Sequence, residues 1–313
     1  MSFTETDWNH LISQIKNKRC TPFIGAGASF PWLPLGSQIA QDWAQQYEYP
    51  LDDNGELDKV SQFVGILNDD EMFPKMELCN IITGVVPPDF TKYKDSPYAI
   101  LSKINFPIYI TTNYDKFMEE ALKNIGRISD SEYCRWNEAI ELAGENSLFL
   151  DSEYKPTESR PLVYHLHGSI DVPQSIVLTE LDYIYFLENI VDGDDSFLPR
   201  VIKIGLTRGS LLFIGYSLQD LNIQLMMKLT DNVKDNSDYN FAVFPALSSY
   251  SIDSSKSHKF KPYIEKNYER NFKTCIFWGT AEEFTIELRN RLEKYNTQYD
   301  EKIETTNNYS KKI

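Results

Sequence analysis

The stretch Pro107-Ile108-Tyr109-Ile110-Thr111-Thr112-Asn113-Tyr114-Asp115 decides the fold, because its character changes halfway along. Its first residues are a proline and then apolar, aromatic or β-branched side chains, the composition of a buried strand. An amide and a carboxylate two residues apart then replace the apolar run. Phe117, Met118, Ala121 and Leu122 follow at the spacing of one helix face. A strand that ends in polar groups and feeds a helix is the repeating unit of a parallel sheet.

The same passage from strand to polar or glycine turn recurs three times. Residues 21–24 run into Gly25-Ala26-Gly27-Ala28-Ser29, residues 161–166 into His167-Gly168, and residues 211–214 into Gly215-Tyr216-Ser217. Residues 241–244 and Thr274–Trp278 supply two further apolar strands. Helices are expected around Trp8, Leu11, Ile12 and Ile15, and around Ile39, Ala40, Trp43 and Tyr47. Thr179 with Asp182, and Thr280 with Glu283, have the spacing of capping boxes that open two more. Another helix is expected after Ser217, through Leu221, Leu225, Met226 and Leu229.

Residues 50–100 alternate acidic patches with amphipathic pieces such as Leu57, Val60, Val64 and Leu67, and read as a helical insertion. Residues 125–160 are polar and turn-rich, read as a loop or a small helical excursion. The reading is therefore α/β: one domain over residues 1–295, with a mostly parallel sheet covered by helices on both faces, and a loose polar tail over 296–313. In such sheets ligands bind beyond the carboxyl ends of the strands, where four of these strands end in polar or glycine motifs.

Composition narrows the chemistry. A formal charge of −15 argues against direct binding to nucleic acid, whose phosphates need clustered Lys and Arg. The amino terminus lacks a signal-peptide pattern and no stretch has the length and apolarity of a membrane span. Cys20, Cys79, Cys134 and Cys275 are scattered with no CxxC pair, so neither a zinc site nor a disulfide framework is expected. Reduced thiols in a cytoplasmic protein are the simplest expectation.

Each motif has a structural reading beside its chemical one. Gly25-Ala26-Gly27 lets backbone amides approach a diphosphate, and serves equally as a tight turn. Asn113 is a good helix cap as well as a candidate ligand. His165 and His167 share one side of a strand, the spacing of a metal pair, but no third ligand cluster accompanies them. Gly168 ends that strand and exposes the His167 imidazole, which suits a general base; a histidine satisfied within the core is the alternative. Gly215 permits close approach by a nucleotide and Ser217 can donate to phosphate or ribose, while Asp220 serves either as ligand or as a first-turn acid.

Taken in order, Gly25-Ala26-Gly27-Ala28-Ser29, Thr111-Thr112-Asn113-Tyr114-Asp115, Leu166-His167-Gly168 and residues 213–220 resemble the sirtuin-like family. The resemblance covers about residues 20–230 and implies a Rossmann-like sheet that binds NAD at its switch point. It places Gly25, Ala26, Gly27 and Ser29 near the diphosphate, with Thr112 in the same NAD site. It sets Asn113 at the nicotinamide-side ribose and Asp115 at the carboxamide. His167 would act on ribose hydroxyls or water, and Gly215, Ser217 and Asp220 would face the adenosine end.

Protein-deacylating sirtuins carry a zinc ribbon of paired cysteines, which this chain lacks. It looks more like the bacterial anti-phage branch, which destroys NAD to halt infection. The resemblance then implies an NAD glycohydrolase with Asn113 and His167 as catalytic residues, NAD as substrate, and no further cofactor. Control is expected from homo-oligomerisation or from a separate partner, such as an Argonaute, a HerA-type ATPase or a nucleotide-processing enzyme. An NAD- or ADP-ribose-binding subunit without turnover is the second expectation, and a protein deacylase the third.

Overall fold

The computed structural model describes residues 3–137, 140, 147–192, 198–218, 224, 227, 239–246 and 257–310. Among them, seven strands form one all-parallel sheet in the order β3-β4-β2-β1-β5-β6-β7. The strands are β1 (Cys20–Ile24), β2 (Ile108–Thr111), β3 (Asp130–Tyr133), β4 (Leu162–His165), β5 (Ser210–Ile214), β6 (Asn240–Phe244) and β7 (Thr274–Trp278). The described helices are α1 (Glu5–Lys16), α2 (Gly36–Gln46), α3 (Leu57–Leu67), α4 (Phe73–Thr83), α5 (Pro97–Ser102), α6 (Phe117–Asn124), α7 (Glu180–Asp192), α8 (Arg200–Thr207), α9 (Ser257–Phe272) and α10 (Ala281–Ser310). None is long and apolar enough to cross a membrane.

Period-two side-chain alternation divides the core between the two faces of the sheet. Ile24, Tyr109, Val163, Leu212, Ile214, Phe241 and Val243 pack on the face covered by α1–α6 and α10. Phe23, Ile108, Ile110, Tyr164, Leu211, Phe213 and Phe244 pack on the other, under α7, α8 and α9. Both expected capping boxes are present, Thr179 with Asp182 and Thr280 with Glu283. The insertion is helical, as its patterning predicts, and contributes α3, α4 and α5.

One strand differs from the sequence expectation. Asp130-Ser131-Glu132-Tyr133, in the stretch read as a loop, forms the edge strand β3 beside β4. Its polar side chains hide the signal, because their burial is bought by specific partners: Arg160 and Tyr154 on Asp130, and Arg135 with the Leu148 amide on Glu132. The helix expected through Leu221, Leu225, Met226 and Leu229 lies mostly outside the described residues. Residues 296–310, read as tail, continue α10.

From β1 the chain places β2 beside it, then the edge strand β3, and returns to insert β4 between them; it then crosses to place β5, β6 and β7 on the other side of β1. The reversal falls between β1 and β5. That is where an open parallel sheet leaves a crevice at its carboxyl edge.

Candidate functional site

The glycine turn after β1 and the turn after β5 are locked together at this reversal. The Gly25 amide donates to the Ile214 carbonyl (2.8 Å) and the Gly27 amide to the Gly215 carbonyl (2.9 Å). Gly215 sits at φ +84, and a Cβ there would meet the Ala28 nitrogen at 2.5 Å and the Gly25 oxygen at 2.6 Å. Only glycine fits both the dihedral and the space. Ala28 and Ser29 donate back to Gly25 and Ala26, closing a 3-10 turn whose Ala26 faces solvent.

Tyr216 lies over this turn. Its hydroxyl donates to the Ile24 carbonyl (2.9 Å) and stands 3.0 Å from the Thr112 hydroxyl. Thr112, the two glycines and Gly215 therefore meet across three strands. Ser217 is exposed, and Asp220 lies outside the described residues.

The second cluster forms where β2 ends. Thr111 donates its hydroxyl to the Ile24 carbonyl and accepts from the Asn113 amide nitrogen at 2.9 Å, which turns the chain at Asn113. The Asn113 side-chain amide then reaches the Ser29 hydroxyl at 3.1 Å and the Tyr98 hydroxyl at 3.0 Å. Ser29 donates to Asp115 Oδ2 at 2.8 Å, and the Phe117 amide donates to Asp115 Oδ1 at 2.9 Å. All four side chains are buried.

Ionised Asp115 fixes the direction of every bond in this cluster. It only accepts, so Ser29 must donate to it. The Ser29 oxygen then accepts from Asn113 Nδ2 and from the Tyr98 hydroxyl, 2.7 Å away. Both Asn113 N–H bonds are thus committed inward, leaving Asn113 Oδ1 as the atom free to accept from a ligand. Burial lifts the Asp115 carboxyl to about 6, against the Phe117 and Ser29 hydrogen bonds that hold it down. Burial and the Asp115 charge together raise the Tyr98 phenol well above its ordinary value, so it remains a hydroxyl.

A third set of groups braces the loop from beneath. His165, fully buried, has Nδ1 at 3.1 Å from the Asn113 carbonyl and Nε2 at 2.8 Å from Glu119 Oε1. Burial works against the Glu119 charge, but His165 and Lys116 outweigh it and hold the carboxyl at about 2. Lys116 also pairs with Asp171 at 2.8 Å, which ties the turn after β2 to the loop after His167. His165 is therefore engaged on both ring nitrogens.

His167 occupies separate ground. Thr111 and His165 are register partners on β2 and β4, and Asn113 and His167 each lie two residues beyond them. The His167 ring is held edge-on between Tyr183 and Phe186 of α7, at centroid distances of 5.4 and 5.0 Å. Its Nε2 is buried with no hydrogen-bond partner among the described residues. Desolvation lowers its pKa to about 3, so the ring is neutral at physiological pH. Gly168 follows at φ +88, where a Cβ would lie 2.1 Å from the Ser175 carbonyl oxygen. An unsatisfied buried nitrogen is unusual in a folded core and marks His167 as a candidate ligand-facing group.

The structure thus joins Ser29, Asn113 and Asp115 in one network, and Gly25, Gly27, Thr112 and Gly215 around Tyr216. It leaves His167 in an aromatic slot of its own. Tyr98, Tyr216, Lys116 and Glu119 were not foreseen. Tyr98 sits in the helical insertion, and only the Ser96-Pro97 pair before it, a cap and a first-turn proline, signals that a helix starts there.

Comparison with known proteins identifies the family. The chain is 23% identical to the NAD(+) hydrolase ThsA of Acinetobacter baumannii (strain 532279) over 261 residues, covering 80% of this chain and 48% of that protein. It is 25% identical over 224 residues to the NAD(+) hydrolase ThsA of Bacillus cereus (strain MSX-D12), covering 69% and 41%. With the protein of the same name from Cytobacillus dafuensis the identity is 27% over 130 residues, covering 42% and 22%. The chain spans about half the length, or less, of the curated relatives it matches. The profile of the SIR2-like domain matches residues 107–272, which run from β2 through α9 and make up more than half of the chain. This protein belongs to the SIR2-like domain family.

Proposed function

We propose that the chain is an NAD glycohydrolase: with one water it cleaves the bond between nicotinamide and ribose, giving nicotinamide, ADP-ribose and a proton. The observation that carries this reading is the Ser29–Asn113–Asp115 network. It draws on two separate motifs at the carboxyl edge of the sheet and presents a carbonyl oxygen, Asn113 Oδ1, to the crevice. Relatives named NAD(+) hydrolases support the same substrate.

Loss of nicotinamide leaves a ribose with oxocarbenium character, which needs its hydroxyls held and a water aligned. Asn113 Oδ1 accepts from a ribose hydroxyl or from that water. Buried Asp115 supplies negative charge close to the developing cation, and in a site closed to water that charge is weakly screened. Neutral His167 polarises the attacking water through a ring nitrogen, and the proton that water gives up as it adds at the anomeric carbon passes to solvent. The Gly25–Gly27 turn and Gly215 form the floor on which the diphosphate lies, with Ala26 and Ser217 at its exposed rim. NAD is consumed as substrate, so the reaction needs no further cofactor.

Following the resemblance, the activity is placed in anti-phage defence in the cytoplasm. It is held off until assembly, or a separate sensor protein, releases it. The test is NAD consumption by the purified protein over a range of concentrations, beside Asn113→Ala and His167→Ala. Nicotinamide release by the wild type alone is expected, with specific activity that rises on assembly. NAD binding without release under all conditions would instead favour a binding subunit. Turnover that depends on an acyl-lysine peptide would favour a deacylase.

A further inference from the structure

A lysine is buried in α4 at a place where the helix itself does not favour it. Lys75 lies in the first turn, whose unpaired amides disfavour a cation, and it is only 6% exposed. A buried ammonium group is costly unless it is paired and hydrogen-bonded.

Its partners show what the position does. The Lys75 ammonium pairs with Asp182 Oδ1 at 2.9 Å and stands 5.3 Å from the centre of the Trp136 ring. Asp182 Oδ2 accepts from the Leu178 and Thr179 amides, so the same carboxylate caps α7. Trp136 donates its indole N–H to the Ser175 carbonyl, and its own carbonyl accepts from Asn189 of α7. Gln62 of α3 adds a longer bond at the exposed rim, accepting from the Leu181 amide at 3.3 Å.

That helix encloses His167. Tyr183 follows Asp182 directly, Phe186 stands one turn further on, and both rings meet the imidazole. The segment leading into α7 returns to the same residue, because the Val177 amide donates to the His167 carbonyl at 2.9 Å. A buried ion pair is weak evidence for stability, since an apolar pair of similar volume often does as well. This one ties the helical insertion to the helix over the candidate catalytic histidine. We propose that Lys75 is a positioning residue, through which the insertion seats α7 on His167; its bearing on catalysis rests on the hydrolase reading.

The test labels the histidines of the whole chain with diethylpyrocarbonate and reads each by mass spectrometry, with exposed His258 as the reference for reagent strength. In the native protein His167 and His165 are 4% and 0% exposed, and both should react slowly. Lys75→Met should raise the rate at His167 by about tenfold or more and leave His165 unchanged, because the opening is confined to α7. That variant strands the Asp182 charge, so Lys75→Met combined with Asp182→Asn is its companion. Asparagine Oδ1 still accepts the two capping amides, and the same acceleration at His167 is expected. Equal acceleration at both histidines would mean that the pair only holds the fold together. No acceleration at His167 would mean that α7 seats without it, and acceleration in the single variant alone would trace the effect to the stranded charge. Each of these results would overturn the proposal. In the doubly substituted chain kcat for nicotinamide release should fall about tenfold with KM unchanged. A native protein that releases no nicotinamide would refute the hydrolase reading and leave the labelling test of Lys75 intact.

Discussion

Asp115→Asn should stabilise the fold at neutral pH, and the gain should shrink on acidification. The carboxyl is 5% exposed and its folded pKa is lifted from 3.8 to about 6. The folded chain therefore holds this proton more tightly than the unfolded one. Stability from this group is greatest in acid and falls as pH rises from about 4 to about 6. By linkage, ionised Asp115 costs about 3 kcal/mol at pH 8 but only about 1.5 kcal/mol at pH 5.

Asparagine removes that dependence at a second cost. Its Oδ1 still accepts from the Phe117 amide, but its Nδ2 now donates to Ser29. Ser29 must then donate to Tyr98, whose own proton loses its place. That proton and the second N–H of the new amide are both left unsatisfied, which costs about 2 kcal/mol at any pH. The net gain should be about 1 kcal/mol at pH 8 and close to zero at pH 5. Equilibrium urea unfolding of both proteins, read by tryptophan fluorescence at the two pH values, measures it. Other titrating groups cancel in the comparison. A difference in stability that is the same at both pH values would refute the argument that Asp115 is a buried anion.

Gly168→Ala places a methyl 2.1 Å from the Ser175 oxygen on a backbone at φ +88. Thermal unfolding should show a loss of about 3 kcal/mol, and an unchanged midpoint would mean this loop readily rearranges. Tyr98→Phe removes one of the two acceptors of the Asn113 amide without touching the substrate. NAD turnover should fall about tenfold, with thermal stability lowered by about 1–2 kcal/mol. Full turnover in that variant would show that Ser29 alone orients the amide.

Much of the architecture was legible because strands buried on both faces write continuous apolar runs into the sequence, as in residues 211–214 and 241–244. The edge strand β3 was not. Asp130 and Glu132 are buried through partners that lie 30 residues downstream at Arg160 and 16 downstream at Leu148. No local pattern announces such pairings. The site divides in the same way. Asn113, Asp115 and Ser29 stand at strand ends, where the motif shows them. Tyr98 reaches them from a helix whose sequence speaks only of its cap, and the brace of His165, Glu119 and Lys116 exists only once β4 lies beside β2.

The four cysteines have a practical consequence. Burial lifts the thiol of Cys79 to about 11, and those of Cys134 and Cys275 to about 12. At neutral pH only about one molecule in ten thousand or fewer carries a reactive thiolate at any of these positions. At the buried positions an alkylating reagent must therefore wait for the protein to open, while half-buried Cys275 reacts slowly without opening. Cys20 lies in β1, Cys79 in α4, Cys134 just past β3 and Cys275 in β7, four widely separated parts of the molecule. The alkylation rates of buried Cys20, Cys79 and Cys134 report how often each of their parts opens, so the native chain carries its own stability probes with no engineered label.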